Sequence, residues 1–210
     1  MPRAIEIERV RHGCCLAGDA YVATAQQIRV GMREPDVEGI FRSSVSEQKL
    51  WLDDVRQEAF AWCMSGENSA KAYAAYARTR ARQIQVGDLV MIHCNSCVQG
   101  LWTDITRTFH IGEPEDRVVR MYSAIFQASE AAMAEIKPGA KASAVDQAAR
   151  DVLCQKGFGT EFKHQAGHGV GFSAISADAR PRLHPKSPDV LETWNPQFIS
   201  MATAESASAM

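Results

Sequence analysis

The chain has 210 residues, of which 46% are hydrophobic and 23% are charged, and its formal net charge is −2. This composition suits one domain with a packed core and excludes global disorder. No basic excess points to nucleic acid or to an anionic membrane, and no apolar run reaches the roughly 20 residues of a membrane-spanning helix. The first thirty residues mix Arg and Glu and do not resemble a secretory signal, so we expect a cytoplasmic protein with reduced cysteines.

The first third of the chain predicts two helices and a strand. Apolar residues at three- and four-residue spacing predict an amphipathic helix over residues 4–29, and Gly31 is placed to end it. A second, shorter helix is predicted over residues 36–43. The apolar run FAWCM at 60–64 is typical of a strand, and SGEN at 65–68 is typical of a turn.

The sharpest local pattern lies between Val86 and Gly112. The run LVMI at 89–92 is typical of a buried strand, and residues 102–111 alternate apolar with polar side chains. A polar stretch over residues 95–100 joins the two runs. This arrangement predicts a β-hairpin.

The second half of the chain predicts two more helices, over residues 115–136 and 143–156. Ser143 is the expected N-cap of the later helix, and a strand is predicted over 169–175. Long helices that flank hairpin strands predict an α+β fold, with helices packed on one face of a mostly antiparallel sheet.

His93 and Asp104 are the first candidates for chemistry. If the hairpin is centred between Val98 and Gln99, these two residues oppose each other, with Cβ atoms about 4.5–5.5 Å apart. An imidazole and a carboxylate at that spacing can share a metal ion or simply hydrogen-bond. Thr106 lies on the same strand face as Asp104 and would be able to hold the carboxylate in place.

A second candidate is the glycine-rich run HQAGHGVG at 164–171. Glycines on both sides of His168 let the backbone approach a partner closely and leave the imidazole accessible. A turn that carries a solvated histidine explains the same pattern.

Cys94 and Cys97 form a single C-x-x-C motif beside His93. This motif is compatible with a redox pair or with half of a zinc site. A second C-x-x-C is absent from the sequence, and the motif falls near the predicted hairpin turn.

Three motifs in this order resemble one known family. They are GDLV at 87–90, GLWTDITRTF at 100–109 and GHGVG at 167–171, and the SGENS run at 65–69 also fits. The chain resembles the pita-bread family of creatinase, prolidase, Xaa-Pro aminopeptidase and methionine aminopeptidase, closest to the Xaa-Pro aminopeptidase and dipeptidase branch. The resemblance implies helices around a curved, mostly antiparallel sheet.

The resemblance also implies a metal-dependent peptidase that acts on peptides, with proline-containing substrates expected. Family members hold two divalent ions, often Mn, Co or Zn, with two Asp, one His and two Glu, and the ions activate the attacking water. By motif, Asp104 corresponds to the second Asp and His168 to the ligand histidine. His93 stands where the first Asp falls.

The chain departs from the family pattern near its end. Neither of the two Glu ligands is found, and the resemblance stops at Thr193, so we expect the final strands to be missing. The prediction is an incomplete catalytic domain over residues 1–193 and a non-family tail over 194–210. The abrupt stop favours a frameshifted or truncated gene end over a natural one.

Two histidines that the family uses to contact substrate are also replaced. Tyr73 stands at the first position, and Ile175 or Ala177 at the second. His184 would reach the second position only through a loop insertion.

These departures leave three alternatives open. One ion held by His93, Asp104 and His168 would preserve a metallopeptidase, because two imidazoles and one carboxylate suit Zn, Mn or Fe. A metal-free hydrolase resembling creatinase would use His93 as a general base, with His168 also catalytic. A non-catalytic remnant that binds peptides or forms a homodimer would need the fold alone.

Overall fold

The computed structural model describes residues 4–48, 56–74, 78–172, 179–192 and 198–201, with backbone alone for 72–74 and 198–201. The helices are α1 (Ala4–Ala25), α2 (Glu34–Glu47), α3 (Asp116–Ala134) and α4 (Ala142–Gln155), and Ser69–Ala74 forms a short 3₁₀ helix. The strands are β1 (Gln57–Ser65), β2 (Leu89–Val98), β3 (Leu101–His110), β4 (Gly167–Val170), β5 (Arg182–Leu183) and β6 (Phe198–Met201). None of these helices is long and apolar enough to cross a membrane.

The first half of the chain packs α1 and α2 on one face of the antiparallel sheet β1–β2–β3. Successive strand residues point to opposite faces, so every second side chain meets the helices. Cys63, Ile92 and Phe109 join Leu16 and Phe41 in this core. The opposite face of the sheet carries Trp62, His93 and Asp104, and it is therefore the face on which a site can form.

Tyr21 ties α1 to the hairpin. Its hydroxyl lies 3.0 Å from the carbonyl oxygen of Ile92 and 2.7 Å from that of Ile105, which belong to neighbouring strands. Burial raises the pKa of this hydroxyl well above its ordinary value, so the group remains a hydrogen-bond donor. The contact fixes the helix layer behind β2 and β3.

The hairpin exists, but its predicted register is wrong by two residues. Gln99 and Gly100 form the turn with φ of 52° and 83°, which is the positive-φ geometry of tight hairpin turns. Consequently Asn95, and not His93, lies opposite Asp104. Because side chains alternate with a period of two, a two-residue shift leaves His93 and Asp104 on the same face.

The second half packs α3 and α4 together and places α4 on β5. β4 is the central strand of the sheet β5–β4–β6 and pairs antiparallel with both neighbours. The core of this half includes Ala128, Val145, Leu153 and Leu183. The helix and strand predictions therefore combine into the expected α+β fold.

Several predicted boundaries move in the structure. α1 ends at Ala25 and not near residue 29, while Gly31 bonds to the carbonyl of Ile84. Ser143 is not the N-cap, because α4 begins at Ala142, whose amide donates to the Asp189 carbonyl 2.9 Å away.

The predicted strand over 169–175 is also displaced. β4 begins at Gly167 and ends at Val170, and residues 173–178 lie outside the described ranges. β6 comes from the segment predicted as a tail and pairs along the whole of β4. Part of that segment thus joins the sheet that carries His168, while the domain boundary at residue 193 stays a prediction.

Glu34 organises the connections of the first half. Its side chain is fully buried at the start of α2. The carboxylate accepts hydrogen bonds from the backbone amide and hydroxyl of Ser65 at 2.7 and 2.8 Å, from Asn68 at 2.8 Å and from the Arg80 amide at 2.7 Å. One carboxylate therefore joins α2 to the end of β1, to the turn that follows it and to the segment before β2.

We expect Glu34→Gln to lower the free energy of unfolding by about 3 kcal/mol, because an amide leaves at least one buried donor without an acceptor. Urea denaturation monitored by circular dichroism measures the change. Glu47→Gln, at an exposed position of the same helix, is the matched control and should change the value by less than about 0.5 kcal/mol. Equal effects of the two substitutions would contradict the role of Glu34.

Candidate active site

Asp104 lies between two imidazoles on the face of the hairpin opposite α1 and α2. One of its carboxylate oxygens is 3.6 Å from Nδ1 of His93, and the other is 3.5 Å from Nε2 of His168. The Asp104 side chain is 9% exposed, against 21% for His93 and 24% for His168. The structure thus brings together the three residues that the sequence singled out.

The hairpin positions the first two of these side chains. His93 lies directly opposite Thr106, and its Nδ1 is 2.9 Å from the Thr106 hydroxyl oxygen. Asp104 lies opposite Asn95, whose side-chain amide donates a hydrogen bond to the carboxylate. The hydroxyl of Thr106 therefore orients the ring of His93.

β4 positions the third side chain. His168 pairs with Arg182 of β5 and Ser200 of β6, so its backbone is held from both sides. Nδ1 of His168 lies 3.0 Å from the carbonyl oxygen of Gly169 and can donate to it. A proton on Nδ1 directs Nε2 toward Asp104, where a second proton or a cation is stabilised by the carboxylate.

The electrostatics of the pair favour its charged form. Burial by itself would raise the pKa of Asp104, but the hydrogen bond with His168 and the charge of His93 outweigh it, and the pKa falls below its ordinary value. The Asp104 partner raises the pKa of His168 above 6.5, against the opposing effect of burial. The carboxylate remains ionised, and His168 gains affinity for a proton.

Aromatic side chains line the site beside His93. The ring of Trp62 stacks on the His93 imidazole, with ring centres 5.0 Å apart and planes 6° from parallel, and the Arg78 guanidinium lies 5.0 Å from the Trp62 ring. Phe60 contacts both Trp62 and Trp102. The two tryptophans pack against Phe60, and Trp62 also fixes the plane of the His93 ring.

Asn95 and Trp62 are the site residues that sequence reasoning missed. Each lies opposite a candidate residue on the neighbouring strand, Asn95 facing Asp104 and Trp62 facing His93. A turn centred on Gln99 and Gly100 would have predicted the first pair. No sequence signal predicts the second pair, because β1 and β2 are separated by a long connection.

The described residues do not form a complete metal centre. Asp104 and His168 are placed like two ligands, since a ligating histidine usually donates its second N–H to a carbonyl or carboxylate. However, no group of three or more His, Cys, Asp or Glu side chains in the described ranges is arranged to hold an ion. Two divalent ions beside one carboxylate would also leave positive charge uncompensated in a partly buried place, so these residues do not fit a two-ion centre.

The C-x-x-C motif is not a cysteine pair. Cys94 and Cys97 lie within β2 and not at the turn, and residues three apart in a strand point to opposite faces. Both thiols are free and buried. Burial raises the pKa of Cys94 to about 12 and also raises the pKa of Cys97, which disfavours the thiolates that redox chemistry or zinc would need.

Some predicted positions cannot be placed in the site. The side chain of Tyr73, together with Ile175 and Ala177, lies outside what the structure describes. His184 is exposed, and its Nδ1 accepts a hydrogen bond from the backbone amide of Lys186 at 3.1 Å.

Comparison with known proteins agrees with the fold and the motifs. The sequence profile of metallopeptidase family M24 matches residues 8–195. A Xaa-Pro dipeptidase of Pyrococcus horikoshii is 30% identical over 167 residues, which cover 79% of this chain and 45% of the relative. A probable dipeptidase PepE of Mycobacterium tuberculosis is 39% identical over 114 residues, which cover 54% of this chain and 30% of the relative.

Solved structures give the same result. The prolidase from Pyrococcus furiosus superimposes with a TM-score of 0.79 at 26% identity, covering 95% of this chain and 56% of that one. An X-Pro aminopeptidase from Thermotoga maritima superimposes with a TM-score of 0.77 at 25% identity, covering 90% and 51%.

The helices, the antiparallel sheets and these superpositions define a domain of the pita-bread fold. The chain belongs to metallopeptidase family M24. It spans about half the length of the Xaa-Pro dipeptidase of Pyrococcus horikoshii and about half the length of the two superimposed structures.

Thiol labelling should distinguish the buried cysteines of β2 from an exposed cysteine by their reaction rates. At pH 8 in the native protein, we expect Cys94 and Cys97 to react with iodoacetamide at least about tenfold more slowly than exposed Cys154, because burial disfavours their thiolates. Mass spectrometry of peptides from timed samples measures the rates, and urea should abolish the difference. If all three cysteines of the native protein reacted at the same rate, the burial of Cys94 and Cys97 would be contradicted.

The Asp104–His168 contact predicts a pH dependence. The pKa of His168 is raised by folding, so the stabilisation is fully present below the unfolded value near 6.5 and is lost as the pH rises through the folded-state pKa. In chelator-treated protein, the NMR titration of His168 should have its midpoint above 6.5, and Asp104→Asn should lower that midpoint. A midpoint at or below 6.5 in the unsubstituted protein would contradict the described contact.

Proposed function

We propose that this chain contributes the catalytic site of a peptidase that hydrolyses N-terminal peptide bonds, with Xaa-Pro peptides as its substrates. The observation that carries the proposal is the Asp104 carboxylate, which lies between the imidazoles of His93 and His168 on the face of the hairpin opposite the helices. Carboxylate and imidazole groups are the residue types that bind hydrolytic metals and transfer protons at neutral pH.

The names of the relatives support the substrate class. The matched curated relatives include Xaa-Pro dipeptidases, and the matched structures include a prolidase and an X-Pro aminopeptidase. The aromatic side chains of Phe60, Trp62 and Trp102 add an apolar surface next to the site, which is compatible with a proline ring.

The proposed roles follow from the contacts. The Asp104 carboxylate faces both imidazoles and stabilises positive charge on either one. His168, which faces Asp104 through Nε2, is the candidate ligand or proton carrier. His93, oriented by Trp62 and Thr106, is the general-base candidate. The proposal assigns at most one divalent ion, Mn, Co or Zn, to the site, and Asp104 and His168 would be two of its ligands.

A metal-free hydrolase is the second candidate, and the direct approach of both imidazoles to Asp104 favours it. A carboxylate that orients an imidazole and stabilises its protonated form is the arrangement of acid–base hydrolases. In this reading, His93 or His168 accepts the proton of the attacking water, and Asp104 holds the resulting imidazolium.

A metal titration coupled to a peptidase assay separates the candidates. Chelated protein would be titrated with Mn, Co and Zn in a calorimeter, and hydrolysis of an Xaa-Pro dipeptide would be followed with and without each ion. We expect one binding event and metal-dependent turnover for the first candidate. Turnover that persists in chelator supports the second, while calorimetric silence and no hydrolysis would exclude both peptidase readings.

Asp104→Asn should lower kcat/KM by about 10²–10⁴-fold, the range for losing an acid–base group, because the amide cannot stabilise an imidazolium. Steady-state kinetics on the same dipeptide measures the effect. Thr108→Val, on the same face of β3, is the matched control and should leave kcat/KM within about twofold. An active Asp104→Asn variant would exclude Asp104 from the reaction under either candidate.

A further inference from the structure

The Arg150 side chain of α4 binds the backbone of the segment that precedes β4. Its guanidinium donates to the carbonyl oxygen of Phe162 at 2.9 Å through Nη1 and to that of His164 at 2.7 Å through Nη2. It also lies 4.5 Å from the centre of the Phe162 ring. One side chain thus binds two carbonyls and one aromatic ring within three residues of chain, only a few residues before His168.

Asp146, one helical turn earlier in α4, binds both Arg150 and the same segment. Its carboxylate accepts a hydrogen bond from Nε of Arg150 at 2.6 Å and another from the backbone amide of Ala166 at 2.9 Å. The Asp146 side chain is fully buried, so both contacts are shielded from water. The ion pair therefore holds backbone groups of residues 162, 164 and 166 in one rigid arrangement.

The chemistry of arginine suits this task. The planar guanidinium presents several N–H donors in fixed directions, so it can bind a carboxylate and two carbonyls at the same time. A lysine ammonium would keep the charge but could not span the same acceptors. A buried ion pair adds little net stability compared with an apolar pair of similar volume, which leaves orientation of the segment as its main effect.

β4 begins directly after residues 162–166, which Arg150 and Asp146 bind. Gly167 follows Ala166, and His168 is the second residue of the strand. Beyond the strand, the Gly171 carbonyl accepts a hydrogen bond from the Trp102 amide of β3, the strand that carries Asp104. The backbone around His168 is therefore fixed to α4 on one side and to the hairpin on the other.

We infer that Arg150 and Asp146 are positioning residues that hold the His168 imidazole against Asp104. The inference rests on the proposed function, because positioning of His168 matters for catalysis only if His168 takes part in the proposed reaction. It concerns geometry, however, and the orientation of His168 can be measured whether or not the chain turns over a peptide.

Imidazole NMR of ¹⁵N-labelled, chelated protein tests the inference directly. The signals of His168 are assigned by their loss in His168→Gln. In Arg150→Lys, we expect the His168 ring signals to shift or to divide between two tautomers, while the signals of His93 remain unchanged. Unchanged His168 signals in the folded variant would overturn the inference.

The same helix offers a matched control. Gln147 and Asp151 form an exposed side-chain hydrogen bond of 2.7 Å with the same four-residue spacing, directed to solvent. Asp151→Asn should leave the His168 signals unchanged. An equal shift in this control would show a general response of α4 and would also overturn the inference.

A second variant covers the case in which Arg150→Lys does not fold. Asp146→Asn combined with Arg150→Met removes both charges together, which a protein tolerates better than one buried charge alone. This double variant also loses the donors to the carbonyls of Phe162 and His164, so it should show the same change at His168. Retention of the native His168 signals would overturn the inference.

Kinetics on an Xaa-Pro dipeptide separates this inference from the proposed function. Misplacement of His168 should lower kcat by about 10²-fold in Arg150→Lys, with KM within about twofold, because the affected group acts on the reacting bond. If the unsubstituted protein shows no turnover, the proposed function fails and the NMR result still decides the positioning role. Turnover that is unaffected by Arg150→Lys overturns the positioning role and leaves the proposed function standing.

Discussion

The ionised carboxylate of Asp104 is the constraint on which the candidate site depends. It is largely buried, and burial of a lone charge is costly unless a partner compensates it. The compensation comes from His93 on the neighbouring strand and from His168 on a strand of the second sheet. The two halves of the molecule must therefore meet at this point, and the hydrogen bond between Trp102 and Gly171 lies where they do.

Besides Asp104, each half has a buried carboxylate that binds backbone groups and takes no part in the candidate site. Glu34 gathers donors from Ser65, Asn68 and Arg80 in the first half. Asp146 binds the Ala166 amide and Arg150 in the second half. Both carboxylates lie within the first five residues of a helix and accept hydrogen bonds from backbone amides of other segments, and the Ala166 amide is shared with the Leu183 carbonyl of β5. These contacts position the segments from which side chains of different strands converge.

Charge also separates this chain from the two-ion arrangement that its motifs imply. An imidazole at position 93 removes one negative charge from the place where two cations would be held. His93 stacks on Trp62 and forms a hydrogen bond with Thr106. An aspartate at this position has no ring to stack on Trp62. We therefore propose one positive charge, either a proton or a single ion, next to the single carboxylate of Asp104.

The sequence by itself determined the local structure and the chemical types at the site. Helical periodicity, the alternation along the hairpin and the motifs around Asp104 and His168 were enough for the α+β pita-bread fold and for placing His93 and Asp104 on one face. The tertiary structure decided the register, because the turn formed at Gln99 and Gly100, and it decided the partners Asn95, Trp62 and Arg150. Local patterns report which face a side chain takes, whereas its partners come from segments distant in the chain that only packing brings together.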